Sequence, residues 1–226
     1  MTELPLYSIN TVLLSMSFGG ALLLYMRAFV LVSELSGKEL DDVDNDFLEK
    51  FRLQLLKGLN PVKKVGVISL FHTLMLVINQ TMEAFEVSTI FPYGVLLIVA
   101  SVIYYTPMCR LYKKNKGIAT HAIGLLKAVQ SDARTACLRW LDELKEKHSI
   151  VIDNTFLCDA FHSYSAYESL EMLITHSDKA NFSDDEIIHA LDLLIIGTKK
   201  TPLTLMQENF NWPVPVKLKL TEKLAN

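Results

Sequence analysis

At 226 residues the chain is long enough for one or two soluble domains, yet half of it is hydrophobic, its mean hydropathy is +0.27, and 21% of it is charged. Those values coexist only where charged and apolar residues are segregated, and they are: residues 11–32 and 65–106 are nearly free of charge, while 33–64 and 107–226 hold almost all of the Lys, Arg, Asp and Glu. A net charge of −3 with no basic domain or stripe excludes nucleic acid as an expected partner.

Residues 1–10 read as a short extracytoplasmic N-terminus. Met1-Thr2-Glu3-Leu4-Pro5 lacks the basic start of a secretory signal, and the apolar stretch behind it exceeds the roughly 7–15 residues of a signal core, so a retained membrane span is expected. That span is 11–32, whose 22 residues reach about 33 Å as a helix, enough for a hydrocarbon core of roughly 30 Å. Its single charge, Arg27, stands near the C-terminal end. There its stem can lie along acyl chains while the guanidinium reaches the interface, the alternative being a functional buried charge. Ser15, Gly19 and Gly20, with Ser17 and Ala21, gather small side chains on this helix. The Ser15–Gly19 and Ser17–Ala21 spacings suit close helix packing, within the monomer or between subunits.

The loop 33–64 opens acidic, with Glu39, Asp41, Asp42, Asp44 and Asp46. It lacks the Gly and the terminal Glu of a calcium loop and reads as a helix start favoured by the dipole. An amphipathic helix from Asp46 to Lys57 follows, with Phe47, Leu48, Phe51, Leu55 and Leu56 on one face and Gly58 as its stop. It is expected to lie on the membrane surface or to pack on the C-terminal domain.

The second span, 65–80, is the weakest, because His72, Thr73, Asn79 and Gln80 lower its hydrophobicity. An extracytoplasmic turn, 81–87, joins it to the third span, 88–112, and so short a connection makes the two an antiparallel hairpin. Pro92 suits the first turn of that third helix, and Tyr104, Tyr105 and Tyr112 sit where an interfacial aromatic belt belongs. His72 lies mid-span, where a neutral imidazole can bond to a neighbour, relay a proton, line a pore or ligate haem. The three spans hold no second His, which disfavours a haem held by this chain alone. Asn79 and Gln80 lie near the outer end; with His72 and Arg27 they are the intramembrane polar candidates.

Orientation follows from the Lys and Arg bias. The loop 33–64 carries Lys38, Lys50, Arg52, Lys57, Lys63 and Lys64, and the stretch after the third span carries Arg110, Lys113, Lys114 and Lys116, while 1–10 and 81–91 carry none. The expectation is an N-terminus outside and a C-terminal half in the cytoplasm, in the inner (plasma) membrane. Cys109, Cys137 and Cys158 all fall on the side read as cytoplasmic, where thiols stay reduced, so no disulfide framework is expected.

Residues 113–226 read as a cytoplasmic helical domain with a Pro-containing C-terminal tail. A helix from Ala119 to Lys147 carries an apolar stripe at spacings of three and four, in which Leu126, Val129, Ala133, Trp140 and Leu144 are the expected partner-binding surface. An aromatic-rich helix spans Asn154 to His176, and a third opens on the capping box Ser183-Asp184-Asp185-Glu186 and stops at Gly197. The tail, with Trp212-Pro213-Val214-Pro215 and the alternating Val216 to Leu220, reads as non-helical, with an edge strand at its end.

Possible ligands pair on single helix faces, as Cys158 with His162, Asp159 with His162, and Glu186 with His189, but each is one pair where a metal site needs three or four ligands. No phosphate-cradling Gly loop, nucleophile elbow or metalloprotease motif is present. No enzyme activity, cofactor or metal is expected. The fold class expected is all-α: an integral membrane protein with three transmembrane helices and a cytoplasmic helical domain. The function expected is a non-enzymatic subunit that meets membrane lipid, assembles with copies of itself as a scaffold or pore, and binds a cytoplasmic protein partner. The alternatives are an inner-membrane immunity or exclusion protein against a pore-forming toxin, and an accessory subunit of a transporter or respiratory complex.

Overall fold

The computed structural model of the chain describes residues 6–33, 45–56, 61–85, 90–176, 182–208 and 211–225. Every regular element among them is an α-helix. The acidic positions from Glu39 to Asp44, the stop at Gly58 and the end of the 81–87 turn lie outside the described residues. The chain divides into two compact units, one of Met1–Glu34 with Leu56–Gly117 and one of Leu35–Leu55 with Ile118–Asn226.

The first unit is built from α1 (Leu6–Ser33), α3 (Pro61–Ala84) and the first part of α4 (Ile90–Gln130). Among the described residues these are the three helices long and apolar enough to cross a membrane, over Asn10–Ala28, Val65–Met82 and Gly94–Gln130. In an 18-residue apolar window of each, only 22%, 17% and 22% is buried, and large apolar side chains such as Leu23, Leu70, Ile98 and Val102 point outward. So much outward apolar surface is compatible with hydrocarbon, where a helix satisfies its own backbone. Inside, Leu14, Ala21 and Ala28 recur every seven residues along α1, all fully buried. They meet Ile68 and Met75 of α3 and a four-residue stripe of Leu96, Ala100, Tyr104 and Met108 on α4. The three small Ala residues let the backbones approach, which is how helices associate where lipid offers no hydrophobic drive. Asn10 pairs with Asn79 and Phe18 with His72, so α1 and α3 run antiparallel. Phe18 pairs with Tyr104 and Ala28 with Asn115, so α1 and α4 run parallel.

The second unit contains α2 (Asn45–Leu56), whose residues from Leu56 on belong to the first, the end of α4, and α5 (Arg134–His148), α6 (Asn154–Ser163), α7 (Tyr167–Thr175), α8 (Asp184–Thr198), α9 (Pro202–Glu208) and α10 (Val214–Ala225). Of the two placements open to the amphipathic loop helix, packing on the C-terminal region is the one observed. The Phe47 ring of α2 stacks on Phe156 at 4.9 Å and meets Tyr164 edge-on at 5.5 Å, with Leu48, Phe51 and Leu55 buried beneath.

Three sequence expectations need correction. The helix expected over Ala119–Lys147 is two. α4 runs unbroken from the third span to Gln130, and a turn at Ser131–Ala133 precedes α5. In that turn Asp132 takes a positive φ of 48° and the Ala133 N–H reaches back to the Ala128 carbonyl at 2.9 Å, a helix-ending arrangement that the unbroken apolar stripe conceals. The helix expected over Asn154–His176 breaks in the same way at Ser165, φ 55°, where the Ala166 N–H bonds to the Phe161 carbonyl at 2.8 Å. The tail is helical rather than extended. Pro213 precedes α10 and Pro215 is its second residue, positions whose N–H has no partner in a helix anyway. Val216 and Leu220, four apart, are buried while Val214 and Leu218 are exposed, so the alternating pattern is one buried helical face. Lys219 and Lys223 pair with Asp185 and Asp192 of α8 and hold α10 in place.

Candidate functional site

Polar side chains from the three apolar helices meet at three levels of the first unit. At one end the Asn10 amide donates to Asn79 Oδ1, and Asn79 donates in turn to Thr11 Oγ1 at 3.3 Å. Asn10 and Asn79 are 4% and 0% exposed, so this is a buried link between α1 and α3. In the middle, His72 lies flat on the Phe18 ring, centroids 4.3 Å apart and planes at 14°, with Nδ1 3.4 Å from the Tyr104 hydroxyl. At the other end Asn115 Nδ2 donates to the Ala28 carbonyl at 2.6 Å, tying α4 to α1. Near the middle level a Cβ built on Gly20 would stand 2.3 Å from the Tyr105 hydroxyl oxygen, so only Gly lets that phenol lie against α1. The arrangement is a ladder of interhelical hydrogen bonds and ring contacts, the means by which helices in lipid fix their register.

The expected intramembrane polar residues thus divide. His72 and Asn79 sit in the helix interface, Arg27 and Gln80 on its outside. Gly20 is occupied by Tyr105, whereas Ser15 is exposed and a Cβ on Gly19 would meet nothing within 4 Å. Asn10, Phe18 and Asn115 are the members that sequence reasoning missed. Asn10 falls just before the apolar run, and its partner is fixed only by the antiparallel register. Asn115 falls just past the third span, among Lys113, Lys114 and Lys116.

The stripe expected to receive a partner is used inside the second unit. Leu126, Val129 and Leu144 are buried, Ala133 lies half-buried in the turn, and Trp140 packs where a Cβ on Gly124 would stand 2.5 Å from its ring. The stripe joins α4 to α5. Beside it His148 Nε2 lies 2.9 Å from His121 Nδ1, and His121 Nε2 lies 3.6 Å from the Glu143 carboxylate, which Lys147 also holds. The two ring nitrogens can share one proton, so one imidazole donates and the other accepts. These four residues are separated by up to 27 positions, which gives no sequence motif.

The candidate ligand pairs are committed elsewhere. Glu186 accepts from the Ser183 N–H at 2.7 Å in the capping box and receives the Asn154 amide at 3.3 Å, while Asp159 accepts from His189 at 2.8 Å. Cys158 is fully buried, and that burial, with Asp159, Glu186 and Asp153 nearby, pushes its thiol up to about 12. Among the described residues no group of three or more His, Cys, Asp and Glu is placed to hold a metal ion. No family model matches the chain, and neither a curated protein nor a solved structure matches it.

Proposed function

We propose that the protein is a non-enzymatic subunit of a membrane complex in the inner (plasma) membrane. Its first unit is the bilayer anchor, its N-terminus lies outside, and its second unit is a cytoplasmic helical platform for a protein partner. The observation that carries this reading is the outward apolar surface of the first unit, whose three helices are tied by hydrogen bonds within. Self-assembly is favoured by the part of α1 that its own unit leaves uncovered, where Ser15 and Gly19, four residues apart, face open space. A scaffold is favoured over a pore, because the hydrogen-bonding groups of Asn79 and the ring of His72 already meet neighbours within one copy.

The test is the mass of the full chain in mild detergent, with Gly19→Leu alongside. A defined multimer that Gly19→Leu reduces to the 25.5 kDa monomer is the expected result. A monodisperse wild-type monomer overturns self-assembly and directs attention to a heterologous helix against the same face.

A further inference from the structure

A cleft of about 840 Å³ opens between α3 and α4. Its walls are apolar, with Ile68 and Phe71 from α3 and Ile103, Pro107 and Met108 from α4, and Arg110 and Lys114 stand at one end. We propose that it binds an anionic phospholipid, one acyl chain lying in the cleft and the phosphate between Arg110 and Lys114. The inference rests on the membrane reading above.

Three features commit the site to that occupant. Its volume falls in the range of pockets that hold small molecules, roughly 300–1,000 Å³. Along α4 the lining runs from Ile103 to Lys114, about 16 Å of helix, which is the depth of one leaflet of a core roughly 30 Å thick. The two cations lie four residues apart on one helix face, both exposed, and neither has a carboxylate partner among the described residues. By contrast Lys147, Lys200, Lys219 and Lys223 of the second unit each hold an acidic side chain. Lys63 and Lys64 stand in the first turn of α3, which the antiparallel register brings to the same end. A cleft with hydrocarbon walls and a cationic rim at the interface matches a lipid chain under an anionic headgroup.

The experiment is native mass spectrometry of the full chain released from mixed micelles of phosphatidylglycerol and phosphatidylcholine, with Arg110→Gln/Lys114→Gln and Lys113→Gln variants. Lys113 is exposed on the same turn and does not line the cleft. Wild type and Lys113→Gln are expected to retain one phosphatidylglycerol in preference to phosphatidylcholine, and the double variant to lose that preference by about tenfold. Ile103→Trp, which narrows the cleft without touching a charge, is expected to lower retention of both lipids. Equal retention of the two lipids by wild type, or an unchanged preference in the double variant, overturns the proposal. Resistance of the protein to alkaline carbonate extraction is measured on the same preparations. Extraction by carbonate overturns the membrane reading itself, whereas resistance with no lipid preference overturns the cleft alone.

Discussion

Asp132 holds two jobs in the second unit. Its positive φ ends α4, a conformation Asp tolerates better than most residues. Its carboxylate accepts the Ser169 N–H at 2.8 Å and the Glu168 N–H at 3.1 Å, and so caps α7, whose own N-cap Ala166 has no side chain able to do this. Substitutions separate the jobs. Asp132→Gly keeps the turn and loses the cap, at a cost of about 1 kcal/mol. Asp132→Ala adds the strain of an L residue in the left-handed region, about 1–2 kcal/mol more. Asp132→Asn keeps both and stays within about 0.5 kcal/mol of wild type. Chemical unfolding followed by circular dichroism checks the order, and equal losses for Gly and Ala would refute the backbone half of the account. The buried thiols behave as a second residue-scale case. Burial pushes Cys137 up to about 11 and Cys158 up to about 12, from an ordinary value of 9.0. Both folded values are raised, so the thiols' contribution to stability is complete below pH 9 and is lost as pH rises from there towards 11–12. Neither Cys should react with a maleimide at pH 7.5 until the unit unfolds, and fast labelling of either in the folded protein would contradict the burial.

Between helices, contact geometry rather than composition sets the cost of a change. The Tyr105 phenol occupies the place of a Gly20 side chain, with its hydroxyl oxygen 2.3 Å and its Cζ 3.3 Å from where a Cβ would stand. Gly20→Ala is therefore expected to destabilise the three-helix unit by about 1–3 kcal/mol, and Tyr105→Phe in the same chain to recover much of that, since only the ring carbon then presses on the methyl. Gly66→Ala meets nothing and serves as the control. Asn79→Leu removes the acceptor and donor that Asn10 and Thr11 use, at a cost of about 1–2 kcal/mol. Adding Asn10→Leu should restore part of it, because no buried amide is then left unpaired. Thermal unfolding in detergent reads both series. The same geometry explains what was legible in the sequence. The three spans, the hairpin, α2 and the capped α8 follow from patterns longer than ten residues. The turns at Asp132 and Ser165 do not, since each interrupts a helix without interrupting its apolar spacing. The tail misleads because Val216 and Leu220 satisfy a strand's alternation and a helix's four-residue step at once. Of the polar ladder, His72 and Asn79 stand out as polar residues in an apolar run, while Phe18 is indistinguishable from its outward-facing neighbours until the register is known.

At the scale of the whole molecule the packing directions and the charge bias support one another. α1 and α3 run antiparallel, and α1 and α4 run parallel, so the end of α1 and the end of the third span lie on one side of the first unit. Ten Lys and Arg residues, six in 33–64 and four in 110–116, flank that side, and none lies in 1–10 or 81–91. The orientation proposed above, with the cationic side in the cytoplasm, is the one the Lys and Arg bias of membrane proteins favours. Trypsin provides a sharp test, since it cuts only after Lys and Arg. On right-side-out vesicles it has no site to attack, because the one cation between the N-terminus and Lys38 is Arg27, inside the span. The protein should survive at full length. On inverted vesicles the same treatment should remove the second unit and leave the membrane fragment. Cleavage of right-side-out vesicles with protection of inverted ones would reverse the orientation and move the helical platform to the opposite face of the membrane.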